Sequence, residues 1–290
     1  MQFLNLLWDT VLLRPYVFLF LACYLMLATW QFGLGRTLAF LVAGYLVSWL
    51  AELCSIHTGF PFGIYIYIPA TLDRELWVAG VPFMDSLSYV FMAFASYSLA
   101  LLALAPGRWQ GWRFFLDDRE FLNSWRSTIP GGVLMMTLDV VVDPVALRGY
   151  RWFLGQIYGY PEPGAYFGIP LTNFAGWLLV SLVLVRLLQV LLAYLPAGRY
   201  WDWGARDFPG RALLGPGLYV GILAFNLAMT LWIGEPTLFL AGIFIYLPFF
   251  TWLCLKVGPE GSGKPSLHRS ACLLKSSSLS SWKERKISSP

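Results

Sequence analysis

The chain has 290 residues, of which 58% are hydrophobic and 12% charged, where a soluble domain carries about a quarter charged residues. A soluble core of this length could not bury so much apolar surface. The net charge of +4 reads as basic loops at a membrane surface rather than as a nucleic-acid footprint, so no nucleic-acid partner is expected.

The first strongly apolar run, 15–32, has neither a basic leader nor a small-residue cleavage site, and reads as a retained span. Further runs of near-uncharged residues follow at 37–54, 86–105, 129–142, 171–195, 213–233 and 237–256, each read as a membrane span. The expected fold is an all-α integral membrane protein, a bundle of about seven transmembrane helices over 1–257. The run 129–142 is short, with Asp139 and Asp143 interrupting its apolar pattern. Between the third and fourth spans, 109–127 mixes aromatic and charged residues and is expected to form an interfacial amphipathic helix. Residues 258–290 are rich in Gly, Ser, Lys and Arg and read as a disordered basic tail. Cys23, Cys54, Cys254 and Cys272 show no regular spacing, so neither a disulfide frame nor a zinc site is expected.

Lys and Arg set the orientation. With seven spans, one side holds 4 of them (Arg14, Arg74, Arg148 and Arg151) and the other 15, with Arg186 inside a span. That bias places the chain in the cell membrane with its N-terminus outside and its C-terminus in the cytoplasm. Arg186, in the cytoplasmic half of its span, can snorkel.

On that topology the unusual polar residues gather at the outer level: Glu52, Asp85, Asp139, Asp143, Asn173 and Glu235. An Asp at a helix centre costs roughly 2.5–3.5 kcal/mol on insertion scales, so several at one depth point to a site. Each has a plainer reading. Asp143 before Pro144 suits an N-cap, Asp85 and Asn173 suit first-turn positions, and Glu235 before Pro236 suits a loop. Glu52 and Asp139 are the hardest to dismiss, because apolar helix precedes each, although both could pair with Arg148 or Arg151. The sequence also echoes itself. GVPFMD (80–85) resembles GIPLTN (168–173), and Glu52 precedes Gly80 by 28 residues where Asp139 precedes Gly168 by 29. This spacing predicts two parallel helix-pair repeats facing a shared cavity.

With two histidines, His57 and His268, a histidine-rich di-iron site is closed off, and neither a Rossmann fingerprint nor a P-loop is present. No metal or cofactor is expected. What remains is carboxylates for proton transfer, with aromatic rings able to stabilise a cation. The outer connections FPFGIYIYIP (60–69) and YRWFLGQIYGYPEPGAYFGIP (150–170) are aromatic beyond the needs of an interface belt. They supply Phe62, Tyr65, Tyr67, Trp152, Tyr158 and Tyr166 as substrate-binding candidates, joined by Trp177 and by the polar His57, Arg148 and Asn173.

The stretches AELCSIHTGFPFGIYIYIP (51–69), GVPFMDSLSYVFMAFASYSLA (80–100) and DVVVDPVALRGYRWFLGQIYGYPEPGAYFGIPLTNFAGW (139–177) resemble the carotenoid-biosynthesis membrane proteins, a family that includes carotenoid hydratases related to bisanhydrobacterioruberin hydratase. The resemblance covers about 40–180 well and the last two spans loosely. It implies cofactor-free addition of water to a terminal double bond of an acyclic carotenoid, giving a tertiary alcohol. The implied partners are the lipid bilayer, a long apolar polyene, water and other carotenoid enzymes. The catalytic candidates are Glu52 and Asp139, supported by Asp85, Asp143 and Asn173. Which is acid and which is base stays open. Two rival readings remain: a carotenoid cyclase driven by the same protonation, and a lipid transporter or binding protein without chemistry.

Overall fold

A computed structural model describes residues 2–196 and 210–258. A short apolar helix, α1 (Gln2–Leu13), precedes seven long ones: α2 (Pro15–Phe32), α3 (Leu34–Thr58), α4 (Phe83–Leu104), α5 (Trp125–Leu147), α6 (Leu171–Tyr194), α7 (Arg211–Trp232) and α8 (Pro236–Val257). All seven are long and apolar enough to cross a membrane. The expectation of about seven spans in an all-α bundle holds, and α1 is an addition to it. The basic tail from 259 onward, and the segment 197–209, lie outside the described residues.

Local chemistry sets the helix ends. Pro15 and Pro236 open their helices, where a missing N–H costs nothing. Gly33, at φ +88°, closes α2 and opens α3, a reversal that favours a residue without Cβ. The fourth span is longer than its apolar run, because α5 continues through Asp139, Asp143 and Pro144 to Leu147. Asp143 therefore lies inside a helix and is not an N-cap.

Helix α4 is the axis of the bundle, with 89% of its membrane window buried. Its buried face is rich in small residues (Ala93, Ala95, Ser96, Ser98, Ala100), which allow close backbone approach in lipid. Gly215 of α7 uses this: a Cβ there would lie 2.3 Å from Ser98 Oγ.

The interfacial helix expected at 109–127 does not form. Strands β4 (Gly107–Gln110) and β5 (Arg113–Leu116) make a hairpin instead. Gly111 turns at φ +61°, Phe114 packs inward, and the Trp109 indole donates to the Val257 carbonyl at 2.6 Å. The aromatic spacing there serves alternation along a strand better than a helical face.

The predicted internal repeat is present in the backbone. In each outer connection an uncommon left-handed non-glycine residue precedes a left-handed glycine: Ala79 (φ +51°) with Gly80 (φ +84°), and Phe167 (φ +50°) with Gly168 (φ +94°). Val78 pairs with Val81 between β2 (Trp77–Val78) and β3 (Val81–Pro82). Tyr166 pairs with Ile169 at the matching place. Pro82 and Pro170 then cap α4 and α6. The two connections join through β1 (Ile66–Tyr67) and β6 (Tyr158–Gly159), with Tyr67 opposite Tyr158. The α3–α4 and α5–α6 pairs are thus parallel units meeting at one end of the bundle.

Three ion pairs fasten that end. Arg14 donates to both Glu75 oxygens, at 2.9 and 3.0 Å, and to the Leu154 carbonyl. Both partners are fully buried, so the N-terminal helices lock onto both outer connections. Glu235 is not a free loop residue, because it accepts from Arg148 at 3.2 Å and from Arg151. The pairing of Arg148 or Arg151 with Glu52 or Asp139 is therefore corrected: these arginines serve Glu235. At the opposite end Arg186 leaves the apolar interior to reach Asn123 at 2.6 Å.

Candidate active site: two acid–tyrosine clusters across an apolar cavity

Where the two repeats meet they line a cavity of about 120 Å³, below the roughly 300–1,000 Å³ usual for pockets that hold a whole ligand. Glu52, Asp85, Asp139, Asp143 and Asn173 all line it. Glu52 is 2% exposed and Asp139 1%. Burying such groups is costly unless they are hydrogen-bonded, and the outer connections supply the partners.

On the first repeat, the Tyr67 hydroxyl stands between two carboxyls. It lies 2.6 Å from Asp85 Oδ2 and contacts Glu52 Oε2, while Tyr65 reaches Glu52 at 3.3 Å. Tyr65 precedes strand β1 and Tyr67 ends it, an alternation that sends both rings to one side. On the second repeat, Tyr158 and Tyr160 repeat the pattern from β6. Tyr158 donates to Asp143 Oδ1, and Tyr160 donates to Oδ2 at 3.2 Å. The Asn173 amide bridges Asp143 at 2.8 Å and Asp139 at 3.2 Å. Burial and the Glu52 charge push the Tyr65 phenol well up, while burial and the Asp143 charge do so for Tyr158 and Tyr160. These three tyrosines therefore stay protonated donors at neutral pH.

The echo fixes counterparts across the cavity: Glu52 with Asp139, Asp85 with Asn173, and Tyr89 with Trp177. The last two rings stack on each other, with centroids 4.2 Å apart and planes 4° from parallel. Phe62 packs against both. Most of the remaining lining is apolar, with Phe91, Met92, Val142, Leu154 and Ile157, while Ser88 and Asn226 add polar groups. One flank is a ring cluster from α2 and α7: Tyr16 stacks on Phe225 at 5.3 Å, and Phe20 meets Phe225 edge-on at 5.7 Å. Trp152 joins them, its indole held by the Val145 carbonyl at 3.1 Å.

Most of the residues read from the sequence converge here. Phe62, Tyr65, Tyr67, Trp152, Tyr158 and Trp177 line the cavity with the acids. Three candidates lie elsewhere. His57 is exposed at the end of α3. Arg148 is held by Glu235 and by the Pro144 and Phe167 carbonyls. Tyr166 packs on Phe167 and Phe174. The sequence reading did not select Tyr160, Tyr16, Phe20, Tyr89, Phe225 or Asn226. Tyr160 alone carried a local signal, standing two residues after Tyr158 as Tyr67 follows Tyr65.

Fold and site together define a multi-pass α-helical membrane protein with a carboxylate-lined, largely apolar chamber. The chain belongs to the carotenoid biosynthesis protein family, whose model matches residues 13–248. It is also 31% identical over 148 residues to bisanhydrobacterioruberin hydratase of Haloarcula japonica, a match covering 51% of this chain and 43% of that relative. The match thus spans less than half of the relative's length. No solved structure matches the chain.

Proposed function

We propose that this protein hydrates a terminal C=C of an acyclic carotenoid, forming a tertiary alcohol without metal, flavin or nicotinamide. One observation carries the reading: two unlike acid clusters face one largely apolar cavity, whose lining holds no other Asp, Glu, Lys or Arg. Membership of a carotenoid biosynthesis family and likeness to a protein named as a hydratase point the same way.

The chemistry needs an acid and a base in different surroundings. A protonated carboxyl delivers its proton to the less substituted alkene carbon. The cation left at the tertiary carbon is stabilised by facing aromatic rings. A water guided by the second carboxylate attacks, and that carboxylate takes its proton. We assign one role to the Glu52–Asp85 side and the other to the Asp139–Asp143–Asn173 side. A cavity of about 120 Å³ accommodates the tip of an end group rather than a whole polyene, so the remaining chain extends toward lipid.

Purified protein given an acyclic carotene in water enriched in heavy oxygen should yield a product heavier by one labelled water. Activity should survive chelators and anaerobic conditions. A product labelled from oxygen gas would sink hydration. An isomer of unchanged mass would show a cyclase, and binding without turnover a lipid carrier.

In the proposed orientation the cavity occupies the outer half of the cell membrane. A topology reporter fused after Lys256 should be active only in the cytoplasm, and one inserted in the 150–165 connection only outside. The opposite pattern would reverse the orientation.

A further inference from the structure

The two carboxyls on the first repeat are not equivalent. Asp85 keeps accessible surface where it lines the cavity, whereas Glu52 is 2% exposed. Between them lies a single phenol oxygen, that of Tyr67, in contact with both. A phenol has one proton to donate and lone pairs to accept with. It can donate to one carboxyl only, so the other must donate to it for both contacts to be hydrogen bonds. The three groups therefore share two protons, one on the phenol and one on a carboxyl. Reversing both hydrogen bonds moves the carboxyl proton from Glu52 to Asp85 without moving a heavy atom.

We infer that Asp85 is the group that protonates the substrate and that Tyr67 relays a replacement proton to it from Glu52. This rests on the hydration reading above and assigns the acid within it. Asp85 Oδ–H gives its proton to the less substituted alkene carbon. The π pair becomes the new C–H bond and leaves a tertiary cation. Glu52 is a carboxylate at this point, since the phenol and Asp85 held the two protons. Water attacks the cation, and its proton leaves toward the Asp139–Asp143 side and returns through water to Glu52. Tyr67 then passes its phenol proton to the Asp85 carboxylate as Glu52 passes its new carboxyl proton to the phenol oxygen. Asp85 is thereby reloaded, Glu52 is again a carboxylate, and the net reaction is alkene plus one water. The second repeat cannot run the same relay. Asn173 stands in place of Asp85, and its amide nitrogen donates to both carboxylates there.

The test separates the first turnover from the following ones. With enzyme in excess over carotene, Tyr67→Phe and Glu52→Gln should form product at close to the wild-type single-turnover rate, because Asp85 begins protonated. In steady state each should fall by about 100-fold, the low end for acid–base groups. Asp85→Asn should lose both phases. A general packing defect would slow both phases equally, so the split reports the relay itself. Should Tyr67→Phe fail to fold, Glu52→Gln carries the same test with the ring left in place. Retention of single turnover by Asp85→Asn would overturn the inference. So would equal slowing of both phases in Tyr67→Phe and Glu52→Gln. If wild-type protein forms no hydrated product at all, the hydration reading itself fails, and the relay with it.

Discussion

Glu52→Gln and Asp139→Asn are each expected to lower steady-state turnover by at least about 100-fold, the low end for removal of a general acid or base. Both amides keep the size of the carboxyl and its capacity for hydrogen bonds, but neither can exchange the proton. The two positions are counterparts in the repeat, each almost wholly buried, and each bonds a side chain that also touches a second acid. Yield and thermal stability of the detergent-solubilised protein should change little, which separates chemistry from folding. Product analysis by mass gives the rate. Should both variants, well folded, retain activity, the two-carboxylate mechanism would have to be abandoned.

Arg14→Ala should have the largest effect on stability. Breaking a buried ion pair on one side costs about 3–5 kcal/mol, because the remaining charge is stranded. Here Glu75 would keep only the Thr71 hydroxyl, at 2.7 Å, and the Leu154 carbonyl would lose its donor. Loss of folded yield, or a sharp fall in unfolding temperature, is the expected result. Replacing both partners with apolar residues, as in Arg14→Met with Glu75→Leu, should recover much of it. A single variant as stable as wild type would show that the clamp does not hold the outer connections.

These residues also mark how far the sequence could be read. Glu52, Asp85, Asp139 and Asp143 stood out because a carboxylate in apolar helix is costly and must be accounted for locally. The repeat was legible because Pro and Asp or Asn keep step after Gly80 and Gly168. Arg14 and Glu75 carried no such mark. They are 61 residues apart, and each looks like an ordinary charge at a membrane boundary. The contributions of α2 and α7 were invisible for another reason. In a membrane protein both the lipid-facing and the inward-facing surfaces are apolar, so hydrophobic periodicity does not show that Phe20 and Phe225 flank a cavity. At 107–116 mixed aromatic and charged residues fit either period over so short a stretch, so the pattern does not distinguish a hairpin from a helix. His57, Arg148 and Tyr166 are of suitable residue type in or beside the right connections, yet the chain turns them away from the cavity.

The Ala79–Gly80 and Phe167–Gly168 turns, each opening a helix that lends a polar side chain to the same chamber, describe what two copies of one helical hairpin would build as a dimer. In such a dimer every substitution appears twice, and a pocket on the two-fold axis must present the same face to both sides of its ligand. Joining the copies in one polypeptide removes that constraint. Position 85 can hold an acid while its counterpart 173 holds an amide, and a tyrosine at 89 can stack on a tryptophan at 177. In the proposed hydration H goes to one alkene carbon and OH to its neighbour, and a pocket freed from its own symmetry can hold a different group against each.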